Sequence, residues 1–107
     1  MATEKTLAEE DNQLRDYELT VIISPEVTDE VVNATIEDIR QFVTGRGGTI
    51  SEVEQWGKRK LAYPIKHFVE GNYVLTRFEL KPTSTKELEA SLQISENVLR
   101  HLLIKIE

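Results

Sequence analysis

The order in which hydrophobic periodicity changes along these 107 residues limits the fold more than any other feature of the sequence. From Tyr17 to Ile23, apolar and polar side chains alternate, which is typical of a strand with one buried face. From Thr28 to Thr44, apolar residues recur every three or four positions, which indicates a helix with Thr28 as its N-cap. Further strands are predicted at three places, which are Thr49–Ile65, Tyr73–Leu80 and Val98–Ile106.

The connections between these segments carry signals of their own. The glycine-rich run Gly45–Gly48 follows the first helix, so we interpret it as a C-cap, because a phosphate-binding loop would precede a helix. A turn is predicted over Lys66–Asn72, around Glu70, Gly71 and Asn72, before the third strand. Ser84–Glu87 matches a capping box and predicts the start of a second helix, with Leu88 and Leu92 on its apolar stripe.

The predicted order is strand, helix, strand, strand, helix, strand, which is the split βαβ arrangement of ferredoxin-like folds. We therefore expect an α+β sandwich in which a four-stranded antiparallel sheet carries both helices on one face. Residues 14–107 would form this single ferredoxin-like domain. The acidic residues 1–13 show no sustained periodicity and would form a flexible N-terminal tail.

The opposite face of the sheet is predicted to be open, with no helix over it. Three apolar side chains would lie there, namely Ile22, Tyr73 and Leu75. Apolar residues on an uncovered face favour a surface for a protein partner, although scattered ones are also common on soluble proteins.

The composition argues against several classes of function. No apolar run is long enough to cross a membrane, no cysteine is present, and His67 and His101 show no ligand-like spacing. We therefore expect no membrane association, no metal and no cofactor. The formal charge of −6 argues against a basic field over the whole protein, because nucleic-acid binding depends on neutralising phosphates. A local cationic patch is still compatible with RNA.

The segment Gly57–Ile65 contains such a patch, because the consecutive cations Lys58, Arg59 and Lys60 run into an apolar, aromatic stretch. Cations on a strand protect a sheet edge against aggregation, and they also pair with phosphates. The residues alone leave both interpretations open, and they also leave open whether Tyr63 stacks on a base or packs against the protein.

Four blocks of the sequence, in this order, resemble the bacterial small-subunit ribosomal protein six family. They are Arg15–Glu18, Gly57–Ile65, Gly71–Tyr73 and Asn97–Arg100. The most specific block is Gly57–Ile65, in which a glycine and basic residues precede Leu-Ala-Tyr-Pro-Ile. The resemblance extends from Arg15 to Lys105, which is nearly the whole chain.

The resemblance implies a non-enzymatic component of the small ribosomal subunit, in the cytoplasm and associated with the ribosome, with no small-molecule substrate. It implies binding to the central domain of small-subunit ribosomal RNA as a heterodimer with small-subunit ribosomal protein eighteen. A basic partner would supply phosphate neutralisation that an acidic chain lacks. The implied phosphate contacts are Arg15, Lys58, Arg59, Lys60 and Arg100. Family members often carry an acidic C-terminal tail, whereas the acidic segment here lies at the N-terminus.

Three other functions occur on ferredoxin-like folds. An RNA-recognition module stacks bases on aromatic residues of its first and third strands. Here the third strand offers Tyr73 and Leu75 at those positions, and the first offers Glu18 and Thr20. A small enzyme such as an acylphosphatase needs a phosphate-cradling loop, and Ser24–Val27 contains neither a glycine nor a cation. A small-molecule-sensing regulatory domain is the main alternative, because ligand sites lined by backbone leave little trace in a sequence.

Overall fold

The computed structural model of the protein describes residues 13–106 and confirms the predicted fold class. Its elements are β1 Arg15–Ile23, α1 Asp29–Gly45, β2 Thr49–Ile65, β3 Phe68–Leu80, α2 Pro82–Ile94 and β4 Val98–Ile106. The strands pair antiparallel in the order β2-β3-β1-β4, so β2 and β4 form the two edges of the sheet.

The described residues exclude residues 1–12 and Glu107. The flexible tail predicted at residues 1–13 therefore lies outside them, except for its last residue. Neither helix of the described part is both long and apolar enough to cross a membrane.

The core lies between one face of the sheet and the two helices. The alternating residues of β1 that were predicted to face it are all buried, namely Tyr17, Leu19, Val21 and Ile23. The helices bury the residues Val32, Ile36, Ile39, Val43, Leu88 and Leu92 against them. Burial on one face fixes the strand register, because a slip of one residue would turn these side chains to solvent.

Helix α1 begins and ends as predicted. The side-chain oxygen of Thr28 accepts a hydrogen bond from the backbone N–H of Val31 at 3.4 Å. At the other end, the backbone N–H of Gly48 donates to the carbonyl of Val43 at 2.8 Å, and Gly47 has a φ of 83°. A left-handed glycine just after the helix is typical of a C-cap.

The turn between β2 and β3 is shorter than predicted and lies at the start of the predicted segment. Strand β3 begins at Phe68, so Glu70–Asn72 lie within the strand, and the chain reverses at Lys66 and His67. These two residues have φ values of 49° and 76°, the sign combination that a two-residue hairpin turn of type I′ requires. Lys-His carries no Asn-Gly or Asp-Gly signature, so the sequence contains no marker for this turn.

Helix α2 also begins earlier than predicted, and the capping box at Ser84–Glu87 is wrong. Ser84 and Thr85 are buried within the first turn. Lys81 takes the N-cap position, and Pro82 begins the helix, where its fixed φ and missing N–H are well tolerated. The hydroxyl of Thr85 donates to the carbonyl of Pro82 at 2.7 Å instead of capping the helix.

The distal part of the β2–β3 hairpin continues past the end of β1. Strand β1 ends at Ile23, opposite Asn72 of β3. Residues 58–71 extend from there as a two-stranded ribbon, which we call the hairpin arm. Its charged residues are Lys58, Arg59, Lys60, Lys66 and Glu70. The arm is therefore cationic although the chain carries a formal charge of −6.

Candidate nucleic-acid interface

Three consecutive cations stand exposed at the root of the hairpin arm, on the edge strand β2. Lys58, Arg59 and Lys60 alternate in direction along the strand, so the arginine projects from one side of the ribbon and the lysines from the other. Among residues 13–106, no carboxylate lies within ion-pair distance of any of the three. They therefore present positive charge on both sides of the arm.

Arg59 lies on the open face of the sheet, over the indole of Trp56. Its guanidinium carbon is 4.9 Å from the ring centroid, which is within the range of a cation–π contact. The indole stacks with the ring of Tyr73 in β3, with centroids 6.4 Å apart and planes 10° apart. Its N–H donates to Oε1 of Glu54 at 3.1 Å. We call Trp56, Arg59 and Tyr73 the aromatic cluster.

Arg100 reaches the arm from β4. It lies opposite Ile22 of β1, and its guanidinium carbon is 5.7 Å from the ring centroid of Tyr63. Its Nη1 also donates a hydrogen bond to the Tyr63 hydroxyl. Tyr63 is 56% exposed, so it does not pack in the core. Its ring and hydroxyl both contact Arg100. This contact between β4 and the arm is absent from the sequence-based predictions.

Arg15 lies apart from the other four predicted RNA contacts. It is the first of the nine residues of β1, whereas the arm lies beyond the last one. At about 3.3 Å per residue, the two ends of the strand are about 26 Å apart. The four residues that the structure brings to the arm end are Lys58, Arg59, Lys60 and Arg100.

A row of charges crosses the centre of the open face. Arg77 of β3 pairs with Glu18 at 3.1 Å and with Glu52 at 2.8 Å. The hydrogen bond to Glu18, followed by the one to Glu52, raises the pKa of Arg77 above its ordinary value. The pKa of Glu54 is lowered, first by its hydrogen bond with Glu52 and then by the one from Trp56. Three carboxylates around one guanidinium make this region anionic, so it is unsuited to phosphates.

The predicted partner patch lies on the open face, but two of its three residues are nearly covered. Ile22 and Leu75 are 9% and 6% exposed, and Tyr73 is half-buried. Besides Trp56 of β2, this face exposes apolar side chains of β4, which form what we call the β4 strip and are Leu102, Ile104 and Ile106. Sequence analysis did not assign these residues to the patch, although the apolar residues on both faces of β4 were a usable signal.

The predicted patch and the β4 strip meet in a shallow depression of about 270 Å³ on the open face. Its lining residues are Thr20, Ile22, Tyr73, Arg100, His101 and Leu102. Because Arg100 also contacts Tyr63 of the arm, the apolar depression and the cationic arm are neighbouring parts of one surface.

Comparison with known proteins identifies the family. Residues 16–105 match the model of a family described as ribosomal protein S6. The small ribosomal subunit protein bS6 of Dehalococcoides mccartyi (strain CBDB1) is 41% identical over 107 residues, which cover 100% of this chain and 98% of that protein. The bS6 protein of Moorella thermoacetica is 38% identical over 94 residues, which cover 88% of this chain and 96% of that protein.

The solved structures agree. The crystal structure of 30S ribosomal protein S6 from Thermotoga maritima has a TM-score of 0.82 and 32% sequence identity, and the match covers 88% of this chain and 89% of that one. The C-terminal domain of MgtC from Mycobacterium tuberculosis has a TM-score of 0.59 at 18% identity over 88% of this chain and 89% of that one, which shows the fold alone. The sequence matches over nearly the whole chain, together with the Thermotoga structure, show that the chain belongs to the ribosomal protein S6 family of the small ribosomal subunit.

Proposed function

We propose that the protein binds the central domain of small-subunit ribosomal RNA as a heterodimer with small-subunit ribosomal protein eighteen, and that it catalyses no reaction. The observation that carries the proposal is the arrangement of the open face, where a cationic arm adjoins an exposed apolar surface. One surface suits phosphates and the other suits a protein, and their contact allows both partners to bind side by side.

The hairpin arm supplies the RNA side of this interface. Lys58, Arg59 and Lys60 are exposed, and Lys66 extends the positive charge to the tip of the arm. A projecting ribbon with cations on both sides can meet phosphates from two directions, which a flat sheet edge cannot. Such contacts position a protein on RNA without reading its sequence. Arg15, at the far end of β1, would make a separate contact with the RNA.

The β4 strip and the neighbouring depression supply the protein side. Leu102 is 51% exposed and Ile104 is 46% exposed, and burying such side chains on association is favourable. The anionic row around Arg77 borders this surface, because Glu18 lies opposite Ile104. An apolar surface beside carboxylates fits a basic partner protein, since complementary charge favours encounter and orientation.

The arm and the sheet are connected in a way that favours binding of RNA and partner without large rearrangement. The arm continues directly from β2 and β3, and Arg100 holds it against β4, so little of the interface needs to be ordered on binding. The basic partner would add cations to those of the arm. The heterodimer should therefore bind RNA more tightly than this chain alone, despite the formal charge of −6.

A salt series with matched variants tests the proposal. Binding to a labelled central-domain fragment is measured with and without protein eighteen, for the wild type and for Arg59→Ala/Lys60→Ala. The control is Arg40→Ala/Lys86→Ala, which removes two exposed cations from the helices. We expect partner-dependent binding, and we expect the arm variant alone to flatten the slope of log affinity against log salt by about 1.4 to 1.8.

Two results would contradict the proposal. One is an arm variant that binds with the same affinity and salt slope as the helix control. The other is RNA that stays unbound at low salt even with protein eighteen present. In the second case, a small-molecule-sensing role becomes the function to test, by screening amino acids for binding.

A further inference from the structure

Trp56 is a large aromatic side chain whose position the phosphate contacts alone do not explain. It is 41% exposed on the edge strand β2, next to the root of the arm, and it is the single tryptophan of the sequence. It lies on the open face, away from the helices that cover the core. An exposed tryptophan beside a functional surface is a candidate for direct contact with a ligand.

The contacts of Trp56 hold its ring in one orientation. Tyr73 stacks against it, Arg59 lies over it, and Glu54 accepts a hydrogen bond from its N–H at 3.1 Å. The ring is therefore fixed before any ligand arrives, so a ligand that stacks on it has no need to order it. The same contacts place a guanidinium over the ring and a carboxylate at its edge.

We infer that the part of the Trp56 ring that Tyr73 and Arg59 leave exposed binds one unpaired nucleobase of the RNA by stacking. This inference rests on the proposed role in RNA binding and adds a contact with a base to the phosphate contacts of the arm. Tryptophan and arginine both stack on the flat faces of bases, and such stacking tolerates any of the four.

The charges around the ring favour a nucleotide and set its direction. Glu54 at the indole edge repels a phosphate but accepts hydrogen bonds from the amino and imino groups that bases carry. Arg59 lies on the same face of the sheet as the ring and attracts the phosphate. A base on the indole would thus direct its polar edge toward the carboxylate and its backbone toward the arm.

The position of Trp56 in the sheet disfavours a protein partner as its ligand. The β4 strip lies at the opposite edge of the sheet, with β3 and β1 between them. Along the chain, Gly57 alone separates Trp56 from Lys58, the first cation of the arm. An unpaired base is required, because the faces of a paired base are already stacked within its helix.

The test uses the heterodimer with protein eighteen and a short labelled single-stranded RNA, with a duplex of the same sequence as a second probe. We expect Trp56→Leu to weaken binding of the single strand by about 5- to 150-fold and to leave the salt slope unchanged. Trp56→Phe, which keeps an aromatic face, should restore most of that loss. Binding of the duplex should be the same for all three proteins. Thermal unfolding verifies that both variants fold.

A second readout is the fluorescence of Trp56, taken as the difference between wild-type and Trp56→Leu heterodimers. We expect the single strand to quench it and protein eighteen alone to leave it unchanged. The inference is overturned if Trp56→Leu binds single strands as the wild type does while Arg59→Ala/Lys60→Ala still flattens the salt slope. It is also overturned if protein eighteen alone changes the fluorescence. Loss of all RNA binding by the wild-type heterodimer would instead contradict the proposed function itself.

Discussion

Gly71 has a steric role that cannot be recognised from the sequence alone. It lies in β3 so close to β1 that a Cβ there would overlap Cγ2 of Ile22. In the sequence, Glu70–Asn72 predicts a turn because glycine and asparagine favour turns. The structure needs the glycine for close approach of two strands instead. That Gly71 is a special position was predictable, but the reason depends on a neighbour 49 positions earlier in the chain.

At Gly71, an added methyl group should lower the free energy of unfolding. The methyl group of Gly71→Ala would overlap the stiff, β-branched side chain of Ile22, and we expect a loss of about 1–3 kcal/mol. Urea denaturation measures it. The control is Gly45→Ala at the end of α1, where a Cβ meets nothing within 4 Å, and this change should be neutral or stabilising. Equal effects of the two substitutions would refute the steric account.

Tyr17 links folding to alkaline pH. Its ring is buried beside Phe78, with ring centroids 6.1 Å apart, and burial raises the pKa of its hydroxyl above the ordinary value of 10.0, while Arg15 partly offsets the rise. The unfolded chain loses this proton at a lower pH than the folded one. The stabilisation is therefore complete below pH 10.0 and is lost as pH rises through the higher pKa of the folded state.

The variant Tyr17→Phe isolates this contribution, because it keeps the ring and removes the proton. Urea denaturation of both proteins from neutral pH to above pH 10.0 should give a constant stability difference at first. Above that pH, the wild type should lose stability relative to the variant. A difference that stays constant over the whole range would show that the burial of Tyr17 has no linkage to pH.

The hairpin arm shows how much of an element its sequence predicts. Strand β2 was predicted at Thr49–Ile65, and the structure has the same bounds. The turn was predicted over Lys66–Asn72 with its centre too late in the chain, because the positive φ values occur in Lys66 and His67, which carry no turn signal. Pairing with β2 is what extends β3 back to Phe68. Where the local sequence carries no signal for the end of a strand, pairing with the neighbouring strand determines where it ends.

Arg100 connects the arm to the far edge of the sheet, so its loss should loosen the arm. Arg100→Ala removes the contact with the Tyr63 ring and hydroxyl. Cation–π contacts at exposed sites contribute about 0.5–1 kcal/mol, so amides of residues 58–71 should exchange hydrogen about two- to fivefold faster. Hydrogen exchange measured by mass spectrometry resolves the arm from the rest of the chain.

The matched control for this change is Lys105→Ala, which removes an exposed cation from the same strand near its other end. It should leave exchange in the arm unchanged. If Arg100→Ala also leaves it unchanged, the contact with Tyr63 does not hold the arm, and the role of Arg100 is limited to the surface near the depression.

Over the whole molecule, periodicity was sufficient to predict the fold, and four sequence blocks in order, of which Gly57–Ile65 is the most specific, were sufficient to predict the family. The split βαβ order and the block Gly57–Ile65 predicted both, and the family also confirms the expected location at the ribosome in the cytoplasm. The composition of the open face was less predictable. The exposure of the β4 strip, the burial of Ile22 and the reach of Arg100 depend on how β1, β3 and β4 align side by side.

The distribution of charge over residues 13–106 is compatible with the proposed binding of an acidic protein to RNA. The anionic row around Arg77 occupies the middle of the open face, and the cations of the arm stand at one end. A formal charge of −6 should keep the isolated chain from binding RNA strongly. The protein-eighteen heterodimer is therefore central to the proposed function, because it makes RNA affinity depend on a partner.

The most direct test of this account is the coupling between RNA and protein eighteen. RNA affinity for the central-domain fragment is measured at one salt concentration with and without saturating protein eighteen, and the affinity for protein eighteen is measured with and without the RNA. We expect each ligand to strengthen binding of the other by the same factor, as linkage requires. An RNA affinity that protein eighteen leaves unchanged would contradict it.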